Sequence, residues 1–289
     1  MLEDLFIEAA AVGLEIHMGK TKILSNGIGP GTKSTDVTLT RGKVQILNRS
    51  EATMYLGRAL NLRTTHDTEL NHRISKVCAK FGVFRKELTD KHYSLRDRLR
   101  LFNAVVTPCI LYGCSSWVMT VTRERKLRAA QRKMLRAILG KGRAVIEHFD
   151  GSSTESQQST ATHDGEDLEP WVSWIQRVTH EALESMSLAG VPEWVDERRR
   201  RKWRWCGHVC RRHDGRWTSK VLRWEPHNGS RNRGHPFGRW FDDVGGFFQM
   251  LSQSPEQSNY SECAAFAQSR EVWSQLETDY LNYCCKKRD

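Results

Sequence analysis

TRERKLRAAQRKMLRAILG, residues 122–140, decides the fold class. Its apolar positions Leu127, Ala130, Met134, Leu135 and Ile138 recur every three or four residues, so a helix from Thr122 to Leu139 buries one face and keeps its arginines and lysines on the other. Gly140 stops it, because glycine takes the left-handed conformation that ends helices. Working upstream, LRLFNAVVTPCILYGCSSW (residues 99–117) belongs to a helix opened by Ser94 and Asp97 as a capping pair and closed near Pro108, whose ring cannot follow a helix interior. Before that, Leu70, Ile74, Val77, Cys78, Phe81 and Phe84 keep the same rhythm from about His66 to Leu88. Three such helices pack on one another.

Outward from this bundle the pattern changes on both sides. Leu2, Leu5, Phe6, Ala9 and Ala10 form a short amphipathic helix ending at Gly13, and residues 14–62 are rich in β-branched residues and glycine. There VTLT and KVQIL flank Arg41-Gly42 as a hairpin does. Downstream, EHFDGSSTESQQSTATHDGEDLEP is poor in large apolar residues, which predicts a flexible linker over 142–170. Helices follow over Trp171–Leu188, Glu193–His213 and Tyr260–Cys285, with GSRNRGHPFG too rich in Gly, Pro and Arg for regular structure. The expected fold is α+β and mostly α: a small antiparallel sheet in 1–62, a helical bundle in 63–141, the linker 142–170, and a basic helical domain in 171–289.

With 289 residues, 38% of them hydrophobic, the chain buries a real core. Lys and Arg total 45 against 34 acidic residues, a formal charge of +11, and polyanions are the partners such a balance favours. The eight cysteines show no framework spacing and read as free thiols of a reducing compartment. Glu3 and Asp4 stand where a secretory signal needs positive charge, and the nearly uncharged stretch Phe102–Thr120 contains Asn103, Pro108 and Gly113, which suits buried core better than a membrane span. An intracellular chain, nuclear or cytoplasmic and without a membrane partner, is the expectation.

Between Arg198 and Arg239 there are fourteen Lys and Arg residues against Asp214 and Glu225 alone. Arginine beside an exposed aromatic combines phosphate contact with base stacking, so Arg198, Arg199, Arg200, Arg201, Lys202, Arg204, Trp205, Arg211 and Arg212 are the candidate nucleic-acid contacts. The bland alternative is a solvated face with tryptophans under arginine stems. RRRRK also fits a nuclear-entry signal. Cys206, His208, Cys210 and His213 supply zinc-type ligands, but residues two apart on a helix point to different sides; core thiols and no metal are expected.

AAVGLEIHMGKTKIL (residues 10–24) with TMYLGRAL (53–60) resembles the palm of reverse transcriptases from non-LTR, LINE-like retrotransposons. The two bundle segments quoted above resemble the thumb of that family, and WRWCGHVCRR with GHPFGRWFDDV its region beyond the thumb. The resemblance implies an RNA-directed DNA polymerase whose partner is an RNA or DNA template–primer. By position, Lys20 matches a lysine near the leaving pyrophosphate, and Tyr55, Leu56 and Gly57 match the turn that grips the primer end. The paired aspartates that hold Mg²⁺ in the complete polymerase are expected in a palm and fingers segment upstream of Met1, so the chain alone is expected to be inactive and to carry no cofactor. Trp240-Phe241-Asp242-Asp243 mimics the catalytic motif in the wrong place and reads as an acidic helix start. The alternatives are a non-enzymatic nucleic-acid-binding protein derived from such an element, or a decayed copy without function.

Overall fold

A computed structural model describes residues 1–25, 35–146, 168–212, 214–223, 238–252 and 259–286. Most of the expected linker, most of GSRNRGHPFG and His213 lie outside the described residues. The chain is α+β and mostly helical, and it divides into two compact units: residues 1–75 with 117–119, and residues 76–116 with 120–289. Residues 63–75 lie with residues 1–62 in the first unit, and the bundle helices beyond them lie with the C-terminal helices in the second.

In the first unit α1 (Leu2–Ala11) precedes β1 (Lys22–Leu24), β2 (Asp36–Leu39) and β3 (Gly42–Leu47). The expected hairpin is present, with Leu39 opposite Gly42 and Val37 opposite Val44. Its turn is tied to α1, because Thr40 donates through both its backbone N–H and its hydroxyl to the Glu3 carboxylate, each at 2.7 Å. β1, however, joins the other edge of β3 in parallel, Lys22 opposite Gln45, so the sheet is mixed and not wholly antiparallel. A parallel neighbour needs a long connection, and seventeen residues, 25–41, separate β1 from β3 along the chain, β2 among them. Phe6, Val44 and Leu47 are buried in this unit. A separate hairpin, β4 (Thr53–Tyr55) and β5 (Arg58–Leu60), is antiparallel.

The second unit holds the end of α2 (Thr65–Val83), then α3 (Arg85–Thr89), α4 (Leu95–Val105), α5 (Thr107–Ile110) and α6 (Val121–Leu139). The helix expected over 66–88 is two helices, interrupted at Phe84, and Cys78 faces outward. Ser94 caps α4 as expected: its Oγ accepts from the Asp97 amide at 3.1 Å and donates to the Asp97 carboxylate at 2.6 Å. Thr120 caps α6, and Gly140 ends it at φ 63°. Leu127, Met134, Leu135 and Ile138 are buried, and so are Glu124 and Gln131, which the periodicity did not select.

Beyond the linker come α7 (Trp171–Leu188), α8 (Trp194–Cys210), α9 (Trp217–Arg223), α10 (Asp242–Ser252), α11 (Asn259–Ala267) and α12 (Arg270–Lys286). The single final helix expected over 260–285 is broken between Ala267 and Arg270, because Ser269 starts a new one: its Oγ accepts from the Val272 amide at 3.3 Å. Gln131 of α6 fixes the start of α8, accepting from the Trp194 amide at 2.8 Å and donating to the Pro192 carbonyl at 3.2 Å. Trp203 of α8 lies at the centre of the aromatic core, stacked on Trp273 with ring centres 4.0 Å apart and flanked by Phe247, Phe248 and Tyr280. The two indoles also donate to one another's backbone carbonyls, at 2.9 and 3.1 Å. Gly207 makes this approach possible, since a Cβ there would lie 2.5 Å from the Trp273 ring nitrogen.

Candidate nucleic-acid interface

α8 carries most of the candidate contacts, and packing sorts them. Trp203, Cys206, Val209 and Cys210 point into the core, so the helix must turn some of its basic residues inward with them. Arg198, Arg199 and Lys202 are 0%, 0% and 1% exposed. Three of the nine expected nucleic-acid contacts are thus turned inward, away from the surface. A cation brought out of water needs a carboxylate, and each of these finds one. Arg199 meets Glu124 of α6 at 2.9 Å and Asp196 at 3.1 Å, and also donates to the Cys284 carbonyl of α12 at 3.3 Å. Arg198 reaches Glu124 at 3.6 Å. Lys202 meets Asp243 of α10 at 2.5 Å, donates to the Trp240 carbonyl, and stands 4.6 Å over the Trp240 ring.

The same contacts settle the acidic pair. Asp243 is locked to Lys202, and Asp242 accepts from the Arg239 amide at 2.6 Å at the start of α10. Burial pushes the Asp243 carboxyl up, but the Lys202 ammonium and the Arg198 guanidinium outweigh it and hold the group below the ordinary carboxylate range. It is an internal counter-ion joining two helices.

What α8 leaves at its surface is smaller. Arg204, Trp205 and His208 are exposed, and Arg200, Arg201, Arg211 and Arg212 are partly so. Trp205 sets its ring edge-on to Trp240 at 4.9 Å. Acidic neighbours temper the arginines: Arg204 grips Glu277 through two 2.9 Å hydrogen bonds, Arg201 pairs with Glu197 at 2.9 Å, Arg200 lies 3.9 Å from Glu277, and Arg212 lies 3.8 Å from Asp214. Arg211 donates to the Ala267 carbonyl at 3.0 Å. His208 lies on the opposite side from Cys206 and Cys210, as the spacing implies.

In the first unit Lys20 ends a one-turn 3-10 helix, Met18–Lys20, and is exposed just before β1. Tyr55, Leu56 and Gly57 form the tip of the β4–β5 hairpin. Leu56 has φ 47° and Gly57 φ 74°, the two positive values that a tight two-residue hairpin turn requires. Leucine rarely adopts that conformation, so the turn stores strain that its surroundings must hold. They do so through α2. The buried Glu69 accepts from the Ala59 amide at 2.6 Å and from Arg73 at 2.8 Å, and Arg73 donates in turn to the Gly57 carbonyl. Tyr55 and Leu56 stay 61% and 73% exposed, a rigid apolar tip facing water. Neither Glu69 nor Arg73 stood out in the sequence, although an acidic and a basic residue four apart on an apolar helix face are a recognisable signal.

Fold and surface thus define an α-rich α+β chain with a fixed apolar hairpin tip in one unit and an arginine and tryptophan strip in the other. Over 247 residues it is 28% identical to an uncharacterized transposon-derived protein of Caenorhabditis elegans, a match covering 84% of this chain and 76% of that one. No family model matches the chain, and no solved structure does. Among the described residues no helix is long and apolar enough to cross a membrane.

Proposed function

We propose that the chain is the thumb-containing part of a retroelement reverse transcriptase of the non-LTR type, holding a template–primer duplex. The observation that carries this is the Tyr55–Gly57 turn. Its apolar tip is exposed, its backbone is held in an uncommon conformation, and the Glu69–Arg73 pair fixes it, which is what gripping a primer terminus demands. The likeness to a transposon-derived protein supports the lineage. Arg204 and Trp205 add phosphate and stacking contact, and Lys20 would serve the leaving group only in a complete polymerase with its Mg²⁺-holding aspartates. The sequestered Asp243 does not substitute for those.

Fluorescence anisotropy with a duplex carrying a recessed 3′ end, compared with a blunt duplex, tests the reading. Tyr55→Ala should weaken binding of the recessed end about tenfold, within the range of one base stack, and leave the blunt duplex unchanged. Arg204→Ala should weaken both alike and flatten the salt dependence by about one phosphate. Absence of binding at low salt, or equal loss on both duplexes with Tyr55→Ala, overturns it.

A further inference from the structure

The core that buries α8 also gathers three thiols. Cys206 and Cys210 lie one helical turn apart on the same face, and Cys263 of α11 projects between them. Its Sγ is 3.8 Å from each of theirs, and all three sulfurs lie within 4.8 Å of one another. Four thiolates about 2.3 Å from a tetrahedral zinc stand about 3.8 Å apart, so both resolved separations match an edge of that polyhedron. A disulfide needs sulfurs about 2.05 Å apart and would leave the third thiol unused.

We propose that Cys206, Cys210 and Cys263 form a three-thiolate site for one thiophilic divalent cation of the zinc type, whose fourth position takes water or another external donor. Binding exchanges three S–H protons for three metal–sulfur bonds, with no change of oxidation state, and leaves a net charge of −1 on the centre. The Lys202 ammonium stands one turn before Cys206 on α8 and within electrostatic range of it, shared with Asp243 at 2.5 Å. As thiols the three groups are inert. A thiol gives up its proton when a thiophilic cation binds it, so deprotonation accompanies binding. Held this way, the metal clips α8 to α11 across 53 residues of chain and anchors the helix that presents Arg204 and Trp205.

The full chain, purified reduced and metal-free, is titrated with Co²⁺ as a spectroscopic stand-in and then with Zn²⁺. Expected are one equivalent of Co²⁺ with thiolate-to-metal charge-transfer absorption, displacement by Zn²⁺, and a higher thermal midpoint with zinc. Cys263→Ser should lose all three effects, while Cys114→Ser, a buried thiol elsewhere, keeps them. Should Cys263→Ser fail to fold, X-ray absorption on the zinc-loaded unmodified chain reads the same site, with three sulfur neighbours expected. No charge-transfer band on the folded chain, a band retained in Cys263→Ser, fewer than three sulfurs, or a Cys206–Cys263 disulfide in place of metal each overturns the proposal.

Discussion

Replacing Arg199 by alanine separates a structural arginine from a nucleic-acid-binding one. The side chain is wholly buried and links three helices: Glu124 of α6 at 2.9 Å, Asp196 of its own helix at 3.1 Å, and the Cys284 carbonyl of α12 at 3.3 Å. Removing one partner of a buried ion pair costs about 3–5 kcal/mol, because the remaining charge stays out of water. Here Glu124 keeps Arg198 at 3.6 Å, so the lower end, about 3 kcal/mol, is expected. For a unit of this size that lowers the thermal midpoint by about 6–12 °C. Arg204, 62% exposed in its side chain and paired with Glu277 at the surface, should cost at most about 1 kcal/mol. Circular dichroism melts of both variants, with anisotropy against salt on a short duplex, form the assay. Arg199→Ala should melt early with an unchanged salt slope when measured well below its midpoint, and Arg204→Ala the reverse. An Arg199→Ala protein that melts within about 2 °C of the parent yet loses salt slope would show that the inward face of α8 meets nucleic acid after all.

Two further changes probe the same core. Asp243→Asn should destabilise the chain by about 3 kcal/mol at neutral pH by leaving Lys202 unpaired. Because the Asp243 carboxyl is depressed in the folded chain, its contribution is complete above the unfolded value of about 4 and is lost as pH falls through the folded value, so the parent's acid-side loss of stability should be shallower in the variant. Gly207→Ala puts a Cβ 2.5 Å from the Trp273 ring nitrogen and should cost at least about 1–3 kcal/mol, with a changed near-ultraviolet circular dichroism spectrum as the stacked Trp203 and Trp273 separate. An unaltered aromatic spectrum would show that the indoles are not packed this way.

The sequence by itself determined those helix ends whose signals act within a few residues: Ser94 with Asp97, and Gly140, do locally what their chemistry dictates, whereas the breaks at Phe84 and before Arg270 escaped it. It also determined the β2–β3 hairpin. Partners distant along the chain were beyond its reach. A run such as RRRRK carries no mark of which residues face inward; that depends on where Glu124, Asp243 and Cys284 arrive, 75, 41 and 85 residues away. The parallel pairing of β1 with β3 was hidden for the same reason, since edge choice follows from packing and not from alternation. Cys206 and Cys210 were seen beside His208 and His213 because those are their neighbours in sequence. Only the tertiary structure brought Cys263 to them, because such a cluster is a matter of convergence in space, and α11 returns to α8 through the burial of an aromatic core that no local pattern encodes.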